Sequence, residues 1–599
     1  MKLATPMSRA ASSHHTIVAL GLFFSLLLAN AWILPAEVAF LPLAEVKPGL
    51  EGVGRTVFAG DTVEEFQVKI LGVLHKTGPG QSIILARLSG GPIHRTGVLQ
   101  GMSGSPVYVG GKLVGAVAFA FPFSTEPIAG LRPIEEILQA SALPPRRLLA
   151  GLRSPLEALP EAETRSIGDF GIVELATPIS FSGFTEDTLR YFAPALRRAG
   201  FHPMQTLSGG ADNATPQSIS AEPKPVLPGS MISVQLMRGD FHVAADGTVT
   251  HVEGNRIYAF GHRFLAAGAT ELPFARASVL ALLPNLSTSF KISSAGEWLG
   301  SITRDTNSAL VGELGRPARL VPVSIRVHGL ESERSYRFEM VNDRLLSPLL
   351  LQMSLYSALD ATERTLGPGS VRVMGLVQLE GTSVPLRIQN LYSGDLNVPL
   401  QASLGFTTPV TYALQNSLGA ARLSSVDLSV EVFEAKRQAQ IDQVWTSKRI
   451  IRPGETLDIR VVLLGEGGQE IQRQLAYQIP VGAKPGTLYI SVADGPSTNA
   501  SELRSLSLGE LRPTDQLVQF LNSLRGNLLG YVRLWRTDPA FQIQGSNLPD
   551  PPPSLSLILG RGQHGTTQLP RSSTIAELTF DAGGLAIYGS RTVQVEIKE

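Results

Sequence analysis

Cysteine is missing altogether from the 599 residues. Disulfide staples and thiolate metal ligands are thereby excluded, and whatever folds must hold together by burial alone. Charge of either sign is not in excess: Lys+Arg 51 balance Asp+Glu 51, which leaves no electrostatic footprint for nucleic acid. Only 17% of residues are charged and 7% aromatic, whereas Gly 59 and Pro 41 supply abundant turn formers. That balance favours β-rich modules over long helices. Histidine is scarce at 10. No His/Glu pair has the helical spacing of a zinc protease, and no calcium loop or phosphate-binding glycine loop occurs. The expectation is therefore no metal and no cofactor. The 43% hydrophobic share is ample for several real cores, so the chain is a multidomain globular protein.

Long apolar runs are absent with one exception at the start. Lys2 and Arg9 precede an apolar stretch from Thr16 to Leu28, and Ala29-Asn30-Ala31 has the small residues of a cleavage site. Residues 1–31 read as a signal peptide, which implies a secreted protein of the periplasm or cell envelope. Without cleavage the stretch to Leu34 would serve as an anchor.

Behind it, residues 40–142 read as a compact β unit. Phe66, Val68 and Ile70 alternate with polar neighbours, Ser82 to Leu88 is a buried-type strand, and Gly110-Gly111 joins two strands in a tight hairpin. Pro133 opens a short helix. Residues 143–225 form a mixed connector with a helix from Thr185, its cap, to Gly200, in which Pro194 argues for a kink. A second β unit covers 226–328. Residues 329–440 read as a β-rich module, 441–500 as an Ig-like β module, and 501–599 as a helix capped by Thr514 with terminal strands. Residues 328 to 495 carry repeated short strands, and Pro549 to Pro553 is a stiff spacer.

Chemistry concentrates in Gly101-Met102-Ser103-Gly104-Ser105-Pro106. Glycines around a serine permit tight-loop backbone angles and the close approach of a substrate carbonyl. Ser103 would be the nucleophile, with the Gly101 and Ser103 amides as an oxyanion hole. The same residues also suit an ordinary turn before a strand. Serine needs a base. His262 follows an apolar strand and is preceded by Gly261, so it either emerges as that base or simply closes the strand. His75, in the serine-bearing unit, is held in reserve.

The segments Val46 to Gly49, Gly52 to Phe58 and Thr96 to Pro106 resemble the SpoIVB-type serine peptidase family. So do Ala259 to His262, Gly300 to Asp305 and Gly312 to Gly315. The resemblance spans residues 40–330 and implies a permuted chymotrypsin-like double β-barrel, followed here by β-sandwich-like modules with few helices. It implies Ser103 as nucleophile and His262 as general base of a serine endopeptidase acting on protein or peptide. In that family the histidine segment precedes the serine segment, whereas here Ser103 comes first. The family also has an acid shortly upstream of the serine, yet Arg87 to Gln100 holds no Asp or Glu and Ser89 stands near the matching position. Asp305 is the first substitute, with Asp246 and Asp240 behind it. The incomplete triad leaves a second reading: a non-catalytic envelope scaffold that kept the fold and binds a partner through its C-terminal β modules.

Overall fold

The computed structural model describes residues 39–599 apart from short stretches, the longest being 140–153, 207–223, 504–512 and 562–572. The signal-peptide segment 1–31 lies outside the described residues. Strand is the dominant element, as the low charge and many turn formers require.

Six strands form the first barrel: β1 (Glu51–Val57), β2 (Val63–Gly78), β3 (Gln81–Ser89), β4 (Pro106–Val109), β5 (Lys112–Ala120) and β6 (Ile128–Pro133). They pair in the order β4-β1-β2-β3-β6-β5, and β5 returns to β4, closing the ring. The alternation in β2 buries Phe66, Val68 and Ile70. Gly110 and Gly111, at φ 56° and 78°, make the hairpin between β4 and β5. Leu113 to Phe119 is buried throughout except for Gly115's lack of a side chain, so β5 is covered on both faces.

The connector divides between two sheets. β7 (Thr164–Ile167) and β8 (Phe170–Glu174) extend the first barrel through Phe119↔Glu174. β9 (Thr177–Ser182) and β10 (Phe201–Gln205) instead join the next sheet. Between them the helix Glu186–Arg198 is capped by Thr185, buries Leu189, Phe192 and Leu196, and runs through Pro194 without ending.

A second ring follows: β11 (Met231–Gly239), β12 (His242–Glu253), β13 (Arg256–Ala259), β14 (Gly268–Leu283), β15 (Phe290–Asp305) and β16 (Leu310–Leu314). Pairings run β12-β13-β16-β15-β14-β11, and β11 closes on β12. Beyond β11 the sheet continues through five further strands, from Leu320–His328 to Leu423–Phe433. Here the expectation of repeated short strands is corrected. Two long helices, Leu346–Asp360 and Val398–Asn416, pack on that sheet. The first is buried along almost its whole length. A helix apolar on every side shows no 3.6-residue contrast, so nothing marks it in the sequence.

The two expected C-terminal modules are one sandwich. A four-stranded sheet containing Gln438–Thr446 and Thr456–Gly465 faces a five-stranded sheet containing Gly486–Ala493 and Ser590–Ile597. Ile441, Ile459, Ile490, Leu534 and Val595 share one core between them. The helix Thr514–Ser523 turns away from this sandwich and sets Leu517, Val518 and Leu521 into the large core of the second barrel and its helices. Thr514 does not cap it; its hydroxyl pairs with that of Ser417 at 2.7 Å. Of the spacer, residues 550 and 551 are outside the described residues, and Pro553 begins a helix to Arg561.

Candidate active site

Ser103 sits in the loop that enters β4, and His262 in the loop that leaves β13, so each belongs to a different barrel. Two glycines bring these loops together. Gly104 has φ 89°, and a Cβ there would lie 2.1 Å from Thr248 O and 2.5 Å from Phe260 N. A Cβ on Gly261 would lie 3.5 Å from the Gly104 α-carbon. The backbones that carry the hydroxyl and the imidazole are therefore in direct contact. Phe260 and Gly261 both take left-handed angles, φ 69° and 67°, which turns the chain sharply at the end of β13. For a phenylalanine that conformation is strained by about 1–3 kcal/mol, a feature that clusters at functional sites.

The serine loop is clamped by β12. Thr248 Oγ1 donates to Gly101 O at 2.9 Å, Thr248 N to Ser103 O at 2.9 Å, and Thr250 Oγ1 to Gly104 O at 2.7 Å. Three carbonyls are thus occupied. Among the described residues, the Gly101 and Ser103 amides have no acceptor within the chain. Two free N–H groups flanking a serine are the donor pair an oxyanion needs.

Ser103 is fully buried and its Oγ has no hydrogen-bond partner. His262 is 2% exposed and its Nε2 is also without a partner. No hydrogen bond joins the two side chains, whose loops touch at Gly104 and Gly261. His262 Nδ1 lies 2.8 Å from Arg263 O. A carbonyl can only accept, so Nδ1 carries the proton and Nε2 presents its lone pair. Burial pushes the imidazole down to about 4, helped by the nearby Arg132 and Arg263 guanidinium groups and opposed by the Arg263 carbonyl. It is neutral at physiological pH.

Asp305 does not touch the ring. Its carboxylate accepts the backbone N–H groups of Phe264, Leu265 and Ala267 at 2.9, 2.7 and 3.1 Å. It shapes the loop directly after His262 and leaves ring orientation to Arg263 O. Burial pushes Asp305 up to about 6 against those three donors. Of the other acids read from the sequence, Asp240 accepts from Arg337 N at the surface, and Asp246 is buried and accepts from Ser293. His75 is exposed on β2.

Several neighbours of the two loops were not legible in the sequence. Arg132, fully buried on β6, lies 3.2 Å from Glu174 and 3.5 Å from Glu136, with its Nε 3.4 Å from Gly261 O. Glu174 also pairs with Arg263 at 3.4 Å. A carboxylate thus stands beside the histidine loop, engaged by two arginines. Beside the serine loop opens a cavity of about 470 Å³, walled by Thr96, Val98, Gln100, Phe121 and Ile128.

Residues 32–131 match the family model described as SpoIVB peptidase S55. The matched stretch falls within the serine-bearing barrel and is similar to that family. The match takes in β1 to β5, the serine loop and most of β6, and it supports a serine-peptidase-like function. It ends before His262. No curated protein matches the chain, and no solved structure matches it. No group of His, Asp and Glu among the described residues has the arrangement of a metal site.

Proposed function

We propose that the chain is a serine endopeptidase working through an acyl-enzyme, with Ser103 as nucleophile and His262 as general base. The observation that carries the reading is the backbone contact of Gly104 with Gly261. It joins the loops that carry a hydroxyl and an imidazole from separate barrels, and each of those side chains has a buried polar atom left unpaired, which supports the pairing. Ser103 Oγ attacks the scissile carbonyl as its proton passes to His262 Nε2. The carbonyl oxygen becomes an oxyanion held by the Gly101 and Ser103 amides. The C–N bond then breaks, Nε2 returns the proton to the leaving amine, and a water activated by the same nitrogen hydrolyses the ester. Arg263 O takes the part of the missing acid: it keeps the proton on Nδ1, though without the charge a carboxylate would set against the imidazolium. Asp305 is a positioning residue that acts through the 264–267 loop. The 470 Å³ cavity would take a substrate side chain.

Export belongs to the same proposal, resting on residues 1–31. Among the described residues no helix is long and apolar enough to cross a membrane. The test is labelling by a fluorophosphonate. Wild type labels, Ser103→Ala does not, and His262→Ala slows labelling by about 10²–10⁴-fold. Equal labelling of wild type and Ser103→Ala removes the assignment.

A further inference from the structure

Lys291 is the first interior residue of β15 and is completely buried. Its backbone N–H donates to Gln100 O at 3.2 Å, and two residues earlier Ser289 O accepts from Gln100 N at 2.9 Å. Ser289 Oγ donates to Thr96 O at 2.6 Å. The tip of the β14–β15 hairpin, an extension of the second barrel, is therefore stitched to the serine loop of the first. The Lys291 stem lies over Gly101: a Cβ there would be 3.3 Å from Cδ and 3.4 Å from Cγ. Past that contact, Nζ donates to Thr56 Oγ1 of β1 at 2.8 Å, and Thr56 is itself fully buried.

An ammonium taken out of water costs several kcal/mol, and an apolar side chain of similar length would fill the same space without that cost. Stability alone does not account for a lysine here. Its charge is answered by Asp246 on β12, which accepts from Ser293, and more remotely by Glu64 on β2, the residue opposite Thr56. Resting on the peptidase reading above, we propose that Lys291 is a positioning residue for the oxyanion hole. In its protonated form it pins Gly101 between the two barrels, with Asp246 as its counter-ion.

Burial pushes Lys291 down to about 7, with Asp246 and Glu64 acting in the opposite direction. The ammonium is present below that pH and lost above it. Burial also pushes the Asp246 carboxyl up, against its hydrogen bonds from Ser233 and Ser293 and the charge of Lys291. Losing the ammonium therefore leaves a buried acid without its counter-charge and weakens the grip on Gly101. His262 must be neutral, which requires a pH above about 4. The rate of fluorophosphonate labelling should therefore rise through about pH 4 and fall above about pH 7.

The experiment measures that profile for wild type, Lys291→Met, Lys291→Arg and Thr56→Val, with hydrogen–deuterium exchange of the peptide covering residues 97–105. Lys291→Met is expected to label about 10- to 100-fold more slowly at pH 6, to lose the fall near neutrality, and to exchange faster over the serine loop. Lys291→Arg keeps a charge at every pH and should recover part of the rate without the neutral fall. Thr56→Val, which removes only the Nζ partner, should move the fall to lower pH. It stands in should Lys291→Met fail to fold. A Lys291→Met protein with wild-type rate, profile and exchange overturns the proposal, as does an unmoved fall in Thr56→Val. Should wild type label no faster than Ser103→Ala, the peptidase reading fails; loop exchange, which needs no activity, still decides whether Lys291 holds Gly101.

Discussion

His262 shows how a single environment sets a residue's chemistry. Its folded-state pKa, pushed to about 4, lies below the unfolded value, so acid favours the unfolded chain. The stability that neutral His262 contributes is present above the unfolded pKa of about 6.5 and is lost as pH falls towards 4. Chemical denaturation from pH 7 to 4 should show a shallower loss in His262→Gln than in wild type. Asp305 makes a second prediction at this scale. An asparagine would offer its NH₂ to backbone donors, leaving buried N–H groups unpaired. Asp305→Asn should lower stability by about 1–3 kcal/mol in a urea titration and slow labelling without abolishing it. Ser103 and its flanking glycines were readable because spacing along the chain is itself the signal. Thr248, Arg132 and Lys291 were not, since each is chosen by what lies opposite it in space.

Among the elements, the contact between the serine loop and β12 is the joint on which the site depends. Gly104→Ala adds a methyl where Thr248 O already stands and at a φ that alanine resists. The barrels would have to part. The expected result is loss of labelling together with a lowered melting temperature. Thr248→Val is gentler: it leaves Gly101 O without its donor, and should cost about 1–3 kcal/mol with slower labelling. Period-2 strands and paired-glycine turns were legible, since alternation and positive φ leave marks in the sequence. The helix Leu346–Asp360 was not, because burial on all sides erases the periodicity that would announce it.

For the whole molecule, the sandwich core is separate both from the core of the first barrel and from the large core of the second barrel and its helices. Ile490→Ala, in the sandwich, should destabilise by about 2–5 kcal/mol, visible as an earlier calorimetric transition, while the labelling rate stays at the wild-type value. Removing everything after residue 437 is a different matter. It would strip Leu517, Val518 and Leu521 from the large core and expose the helix surfaces they cover.

Local pattern determined much of this protein by itself: a cysteine-free, β-rich chain, the strands of the first barrel, the tight serine loop, and a histidine at a strand end. Those features depend on neighbours in sequence, where periodicity and backbone freedom can be read directly. Tertiary structure alone decided that the two loops meet, that a carbonyl and not Asp305 holds the imidazole, and that a lysine lies beneath Gly101. Such pairings join strands far apart along the chain, and only the closure of two barrels against each other selects them.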